Sequence, residues 1–191
     1  MLAKKALLLD LDGVVFRNNN AHRYVSNRCE DYVRKITGSK DYKNLNEQLY
    51  KSHGHTLLGL RKLGYTNSIK EFNDYVYDDM SQIKSVNLAD TSALIKLKDR
   101  CRKNNVETYI FSNAPAKWCR TVLKKMNCHM TIIESDDFLK PQEEYYNRVH
   151  NLLKNKEILF VDDSLINLKS VQNTWSTYLF DTKNSSLDDI I

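Results

Sequence analysis

A series of short apolar runs, separated by segments with helical periodicity, constrains the fold of this chain more than any other feature. Nearly continuous apolar character is typical of strands that are covered on both faces of a parallel sheet. Helical segments separate the last four runs, so strand and helix alternate as in doubly wound α/β proteins. The predicted strands are 6–11, 106–112, 130–135 and 157–161, with 177–181 as a fifth candidate. We therefore predict an α/β fold built on a parallel sheet.

A long helical segment interrupts this alternation after the first strand. The helices predicted up to the second strand are 21–36, 41–52, 55–63, 68–80 and 90–104. Ser68 and Glu71 have the spacing of a capping box at the start of one of them. An insertion at this point would lie over the carboxyl ends of the strands, where open α/β sheets bind ligands. We therefore predict a core made of residues 1–17 and 89–191, with a helical lobe inserted at 18–88.

Polar side chains follow most of the predicted strands. They are Asp10 and Asp12 after the first strand, Ser112 and Asn113 after the second, Lys140 before the helix that follows the third, and Asp162 and Asp163 after the fourth. Each has an ordinary explanation by itself, such as an Asp-x-Asp-Gly turn, a hydroxyl that caps a helix or a solvated lysine. The carboxyl ends of parallel strands meet at one edge of a sheet, however, so these groups should lie together. Carboxylates so close repel unless a cation or a shared reaction holds them, and we predict a site at this edge.

Composition and charge narrow the class of partner. The net charge is +5, but the lysines are spread along the chain without a basic tract, so we expect tolerance of anionic substrates and no nucleic-acid partner. The apolar run near the first residue is too short for a signal peptide or a membrane span and ends in two aspartates, so no membrane partner is expected. The four cysteines form no C-x-x-C pair, which predicts reduced, mostly buried thiols in a cytoplasmic protein. The sequence does not indicate an oligomeric state.

The strand ends resemble the four motifs of the haloacid dehalogenase (HAD) superfamily. "LLLDLDGVV" resembles its first motif, "TYIFSNA" its second, Lys140 in "FLKPQ" its third and "ILFVDDSLIN" its fourth, in the expected order along the whole chain. The resemblance implies a Rossmann-like, HAD-like core in which the inserted helices form a C1-type cap over the active site.

The same resemblance implies roles for the motif residues in phosphoryl transfer, which needs positioning and compensation of negative charge. Asp10 would attack phosphorus and form an aspartyl-phosphate. Asp12 would protonate the leaving oxygen and then accept a proton from the attacking water. Ser112 and Lys140 would hold the phosphoryl oxygens.

A magnesium site is implied as well, because Mg²⁺ favours carboxylates together with substrate phosphate and water. Its protein ligands would be Asp10, Asp162 and the main-chain carbonyl of Asp12. Asp163 would have a supporting role, orienting Lys140 or a metal-bound water.

A narrower resemblance comes from the predicted lobe. "LYKSHGHTLLGLRKLGY" (49–65) resembles the cap segment of pyrimidine 5'-nucleotidases, and "FSNA" resembles their "FTNA", whereas "DLDGVVF" stands where these enzymes typically have "DIDNTLY". The resemblance implies that the small-molecule phosphate monoester is a nucleoside 5'-monophosphate approached by His53, His55 and Asn113. The alternative for both histidines is a helix-capping role. Four tyrosines would either stack on a base or pack within the fold, namely Tyr75, Tyr77, Tyr145 and Tyr146.

Other activities of the superfamily are the alternatives to a phosphatase. Its dehalogenases lack the second aspartate of the first motif, so Asp12 favours phosphate chemistry. Its phosphonatases use a cap lysine, for which Lys51 and Lys62 are the candidates. A β-phosphoglucomutase-like enzyme would share the core motifs. A non-catalytic binding protein on the same fold is the alternative of a different class, and it would usually have lost a motif residue, which this chain has not.

Overall fold

The computed structural model describes residues 4–135, 137–171 and 173–190. Its strands are β1 (Lys4–Leu9), β2 (Val106–Phe111), β3 (Thr131–Ile133), β4 (Lys156–Asp162) and β5 (Ser176–Leu179). Its α-helices are α1 (Asn19–Thr37), α2 (Tyr42–His53), α3 (Thr56–Lys62), α4 (Ile69–Val76), α5 (Leu88–Lys103), α6 (Ala116–Lys125), α7 (Glu143–Leu152) and α8 (Leu165–Lys169). Short 3₁₀ helices lie at Met80–Gln82 and Leu187–Asp189.

β1 is the central strand of the sheet. Within the described residues the sheet has five strands, all parallel, in the order β3-β2-β1-β4-β5. Leu9, the last residue of β1, pairs with Ile110 of β2 and with Val161 of β4. The predicted α/β fold with a Rossmann-like parallel sheet is therefore confirmed. Because Asp10 directly follows the central strand, it lies between the ends of β2 and β4, and its N–H donates to Val161 O at 2.9 Å.

Apolar side chains cover both faces of the sheet. Leu7 and Leu9 point into one buried cluster, whereas Ala6 and Leu8 point into a second one on the opposite face. This follows from the alternation of side chains along a strand, and it explains why β1 reads as an uninterrupted apolar run. Tyr145 and Tyr146 of α7 belong to the second cluster and donate to main-chain carbonyls, so they pack under the sheet and do not stack on a ligand.

The helices α1–α4, called the cap helices below, lie between β1 and α5, and their buried side chains form a third cluster that also includes Leu139. The predicted capping box at Ser68 and Glu71 is present at the start of α4. α5 begins at Leu88, inside the predicted lobe, because the Asn87 side chain caps it, and its buried face packs in the first cluster of the sheet. We retain the division into 1–17 with 89–191 and 18–88 as a proposal. Residues 1–3, 136, 172 and 191 of the proposed core lie outside the described residues.

Several elements are shorter than their sequence patterns predict: β3 is Thr131–Ile133 instead of 130–135, α4 is Ile69–Val76 instead of 68–80, and α8 and β1 also end early. α8 ends at Lys169, although apolar periodicity continues beyond it. The Asn167 carbonyl, which residue 171 would bond in a longer helix, accepts instead from Tyr146 Oη and Ser170 N. β1 ends at Leu9 and not at residue 11, because Leu11 O accepts from Val15 N and Phe16 N in a tight turn.

The four cysteines are free, and three of them are buried, as predicted for reduced thiols. Among the helices of the described segments, none combines the length and the apolar character that crossing a membrane would require.

Candidate active site

A cavity of about 1140 Å³ lies between the carboxyl ends of the central strands and the cap helices. Its core side includes Asp10, Asp12, Ser112, Asn113, Lys140 and Asp163, and its cap side includes His22, Tyr50, His55, Thr56, Phe72 and Tyr77. The structure thus brings most of the residues predicted for the site to one space, with Asp162 buried directly beside them. Ligands of open α/β sheets bind in the same position.

Lys140 is the central cation of the site. It is only 1% exposed, and its ammonium donates to Asp10 Oδ1 at 2.9 Å, Asp162 Oδ2 at 2.6 Å and Phe111 O at 2.8 Å. Burial acts to lower the pKa of Lys140, but the two carboxylates outweigh it and raise that pKa above its ordinary value. The lysine therefore stays charged and has all three of its N–H bonds directed at acceptors.

Asp162 is fixed from several directions. It is fully buried at the end of β4, and it accepts from Ser164 N at 2.8 Å as well as from Lys140. Asn167 Nδ2 adds contacts of 3.1 Å to both carboxylate oxygens. Asn167 was not among the predicted site residues, although its position four residues after the Asp-Asp pair is the signal that marks it.

Asp10, Asp162 and Asp163 form a candidate metal site. One oxygen of each lies within 4.8 Å of the others. Burial, with contributions from Asp162, Asp163 and Asp12 and against the effect of Lys140, raises the pKa of Asp10 to about 8. Burial and Asp162 likewise raise the pKa of Asp163 to about 6. The negative charge therefore exceeds what one lysine compensates, and this all-oxygen donor set fits a hard divalent cation such as Mg²⁺.

The composition of this group differs from the predicted ligand set in one respect. The motif resemblance implied only a supporting role for Asp163. One of its carboxylate oxygens nevertheless lies within the same 4.8 Å as those of Asp10 and Asp162, the two predicted carboxylate ligands. The role of Asp12 through its main-chain carbonyl stays a prediction.

The conformation and surroundings of Gly13 explain why a glycine follows the second aspartate in the Asp-x-Asp-Gly pattern. Its φ of +91° turns the chain immediately after Asp12, and its N–H donates to Phe16 O at 3.0 Å. A Cβ at this position would lie 2.7 Å from Asp163 Cγ. The glycine therefore permits both the turn and the close approach of Asp163 to the main chain.

Asp12 is contacted by two side chains that the sequence analysis missed. Trp118 Nε1 donates to Asp12 Oδ1 at 3.4 Å, and His22 Nε2 of α1 lies 3.4 Å from the same oxygen. Burial alone would lower the pKa of His22, but Asp12 and the more distant Asp163 raise it above its usual value. His22 therefore faces Asp12 from the cap side of the cavity. Its only signal in the sequence is its place early in the first helix after the motif.

Ser112 and Asn113 lie at the end of β2 and both border the cavity. Ser112 is buried, and its hydroxyl accepts from Ala114 N at 3.2 Å. The Asn113 amide bonds both main-chain groups of Lys140: Nδ2 donates to the carbonyl at 2.9 Å, and Oδ1 accepts from the N–H at 2.7 Å. Asn113 was predicted to approach the substrate, yet its side chain is occupied in holding the Lys140 segment.

The two cap histidines have different positions. His55 borders the cavity, but its Nδ1 accepts from Leu57 N at 3.1 Å and so caps α3, and its ring contacts Phe72. Burial lowers the pKa of His55 to about 4, so the ring is neutral at pH 7. His53 ends α2 and is not among the described residues that line the cavity, so the structure does not bring it to the site.

Of the tyrosines and lysines weighed from the sequence, Tyr77 alone is among the residues that border the cavity, and its ring packs edge-on against Trp118 at 5.2 Å. The Arg28 guanidinium lies over the Tyr75 ring, with Arg28 Cζ 4.0 Å from the ring centre. Lys51 and Lys62 are not described among the lining residues, so neither is placed for Schiff-base chemistry.

Tyr50, which the sequence analysis missed, borders the cavity with 52% of its surface exposed.

Comparisons with known proteins agree on the architecture. The chain matches no protein-family model, and a search of curated proteins found no match. Among solved structures, it is similar to a HAD-superfamily hydrolase from Ehrlichia chaffeensis (TM-score 0.52, 20% identity, 100% of this chain and 95% of that one). It is also similar to the HAD-hydrolase YfnB from Bacillus subtilis bound to magnesium (TM-score 0.51, 16% identity, 92% and 87%). An L-2-haloacid dehalogenase from Xanthobacter autotrophicus has a TM-score of 0.50 at 16% identity, with 91% and 76% covered. This chain therefore has the fold of the HAD-superfamily hydrolases.

Proposed function

We propose that the protein is a Mg²⁺-dependent phosphatase that hydrolyses a small phosphate monoester through an aspartyl-phosphate on Asp10. The observation that carries this proposal is the grouping of Asp10, Lys140 and Asp162 in one buried, hydrogen-bonded set, with Asp12 beside it at the floor of the cavity. This grouping combines a carboxylate nucleophile, a fixed cation and a separate carboxyl group for proton transfer. The hydrolase fold supports the same reaction class.

The residues have distinct tasks in the proposed reaction. An oxygen of Asp10 forms a bond to phosphorus as the ester P–O bond breaks, and Asp12 gives its proton to the leaving oxygen. Water then attacks phosphorus, the Asp10–phosphorus bond breaks, and Asp12 takes the proton of the water. Lys140 and the Ser112 hydroxyl hold the phosphoryl oxygens as negative charge redistributes.

The proposed Mg²⁺ would be held by Asp10, Asp162 and the main-chain carbonyl of Asp12, with Asp163 close enough to contribute. When bound, it supplies positive charge that compensates both the carboxylates and the phosphoryl oxygens.

Phosphate chemistry is favoured over dehalogenation by Asp12. An alkoxide leaving group needs a proton, whereas a halide departs without one, so an acid beside the nucleophile is useful only in the first case. Asp12 is 29% exposed on the cavity side, and its carboxylate is contacted by Trp118 and His22. The dehalogenase among the structural neighbours is consistent with the shared fold alone.

We further propose a nucleoside 5'-monophosphate of the pyrimidine class as substrate, acted on in the cytoplasm. The nucleotidase-like segment 49–65 supplies part of the cavity wall, including Tyr50 and His55. The cavity holds more than a phosphate group, and aromatic side chains line its cap side, which suits a planar base.

The proposal is tested with purified wild-type protein and Asp10→Asn, in 5 mM Mg²⁺, on UMP, CMP, AMP, sugar phosphates and an aryl phosphate. Asp10→Asn should keep the fold and lose turnover, because an amide is nearly isosteric but a poor nucleophile. Near wild-type rates in Asp10→Asn would exclude the covalent mechanism. Preference for sugar phosphates, or conversion of a sugar 1-phosphate to the 6-phosphate, would favour the phosphomutase-like alternative. Binding of nucleotides without turnover of any ester would favour the non-catalytic one.

A further inference from the structure

The segment that carries Lys140 is attached to the cap helices as well as to the core. Leu139 is fully buried, and it lies in the apolar cluster of the cap helices together with Leu49, Leu57 and Phe72, not in either cluster of the sheet. A residue of the core thus forms part of the hydrophobic interior of the cap.

The turn between α2 and α3 contacts the same segment from the cap side. Gly54 has a φ of +72°, and a Cβ built on it would lie 3.0 Å from Pro141 Cδ and 2.9 Å from Ile166 Cγ2 of α8. The main chain of the cap therefore packs directly on the residue after Lys140. A side chain at this position would require Pro141 or Ile166 to shift by a few tenths of an ångström, in addition to the backbone strain.

From the core side, hydrogen bonds fix the main chain around Lys140. The Leu139 N–H donates to Gln142 Oε1 at 2.8 Å, and the Leu139 carbonyl accepts from Gln142 N at 2.7 Å. Asn113 binds both main-chain groups of Lys140 at 2.9 and 2.7 Å. At the other end of the side chain, the Lys140 ammonium makes three contacts of 2.6 to 2.9 Å. The main chain around Lys140 can therefore shift little without lengthening these contacts.

We propose that Leu139 is a positioning residue that couples the seating of the cap helices to the placement of the Lys140 ammonium between Asp10 and Asp162. Because Leu139 is inserted in the cap, any displacement of the cap helices moves the main chain of Lys140. A displacement of about 1 Å lengthens these bonds beyond hydrogen-bonding range and can lower a rate by a factor on the order of 100. The catalytic effect rests on the phosphatase function proposed above, whereas the mechanical coupling does not.

The activity test compares two leucines of the same cluster. Leu139→Ala and Leu60→Ala each remove a fully buried leucine from the cap interior, but only Leu139 adjoins Lys140. At a temperature well below both melting points, Leu139→Ala should lower kcat on an aryl phosphate by about tenfold or more, and Leu60→Ala by less than about threefold. Leu139→Met should restore most of the loss. Equal effects of the two alanine variants on kcat would overturn the proposal; if Leu139→Ala does not fold, Leu139→Val and Leu60→Val take their places.

The cap side is tested with two glycines in the left-handed conformation. Gly54→Ala and Gly38→Ala carry the same backbone strain, at φ +72° and +68°, but Gly38 has nothing within 4 Å of its Cβ position. Gly54→Ala should lower kcat as Leu139→Ala does, whereas Gly38→Ala should lose only stability. Unchanged kcat in folded Gly54→Ala would contradict the coupling.

Amide hydrogen exchange provides a measurement that needs no turnover. The amides at positions 139 and 140 should exchange faster in Leu139→Ala and in Gly54→Ala than in wild type, with Leu60→Ala and Gly38→Ala unchanged there. If the wild-type protein shows no phosphatase activity but these amides still exchange faster in Leu139→Ala and Gly54→Ala, the coupling is upheld and the phosphatase proposal fails. Unchanged exchange in Gly54→Ala would refute the coupling whatever the activity.

Discussion

The carboxylate of Asp163 occupies the space in which residue 13 would carry a side chain, and Gly13, which has none, leaves that space to it. A Cβ on Gly13 would lie 2.7 Å from Asp163 Cγ. The glycine after the second aspartate therefore lies against a carboxylate that directly follows a different strand, β4, and each residue limits the position of the other.

Substituting Gly13 should therefore affect the site as well as the backbone. Gly13→Ala places a Cβ against Asp163 and should lower kcat on an aryl phosphate by about tenfold or more, a transition-state loss of roughly 1.4 kcal/mol. Gly64→Ala is the matched control, because its φ is +92° against +91° and nothing lies within 4 Å of its Cβ position. Both variants should lose about 1–2 kcal/mol of stability to the left-handed conformation. Equal kcat values in the two variants would show that Asp163 tolerates displacement.

Divalent metal should both activate and stabilise the protein. Exhaustive EDTA treatment should abolish turnover, and added Mg²⁺ should restore it and raise the melting temperature, since a ligand at 100 times its Kd stabilises by about 2.7 kcal/mol. Asp162→Asn should lose both responses. Asp99→Asn, an exposed carboxylate of α5 paired only with Arg102 among the described ion pairs, should keep them. Full activity after EDTA treatment would contradict the metal site.

The pH dependence of stability should reveal His55, which is half-buried. Burial lowers its pKa to about 4 in the folded protein, against about 6.5 in the unfolded chain. Between these values the unfolded chain binds a proton that the folded protein does not, so the contribution of His55 to stability falls as the pH falls. The total loss should reach up to about 3 kcal/mol at pH 4.

His55→Asn isolates this contribution, since asparagine also caps helices but does not titrate. Urea unfolding at pH 7 should give similar stabilities for the two proteins, and the variant should become the more stable one as the pH falls to 4. His22 titrates with a raised pKa in both proteins, so it cancels in the difference. Parallel stability curves would mean that His55 is accessible to protons in the folded state.

Tyr50 should contribute to recognition of the leaving group. Tyr50→Ala should raise the KM for UMP by about tenfold, because stacking on an aromatic ring contributes roughly 1–3 kcal/mol per base. The KM for glycerol phosphate, which has no base, should change less than about twofold. Tyr42→Ala, the other tyrosine of α2 and not among the described lining residues, is the control variant. A similar KM increase for both substrates would assign Tyr50 to cap structure instead of recognition.

The sheet and the position of the site follow from local patterns in the sequence. β1 is apolar on both faces because helices cover both sides of a parallel sheet, so the run itself indicates a buried strand. The sequence predicts that Asp10, Lys140 and Asp162 lie in one site, because parallel strands place their carboxyl ends at one edge of the sheet. This holds independently of the conformation of the loops between them. The resemblance of these strand ends to the HAD motifs added the expected roles.

The contacts between cap and core could be learned only from the tertiary structure. His22, Tyr50 and Leu139 lie on elements whose helical periodicity or loop position is compatible with many orientations, since periodicity shows which face is buried and not against what. The Asn113 amide could equally have reached a ligand, and it bonds the main chain of Lys140 only because the loop returns beside β2. The sequence by itself determined the strands, their polar ends and hence the edge of the sheet at which the candidate site lies. The packing of the cap helices on that edge decided which further side chains face the cavity and which contacts surround Lys140, because those contacts join residues that lie far apart in the sequence.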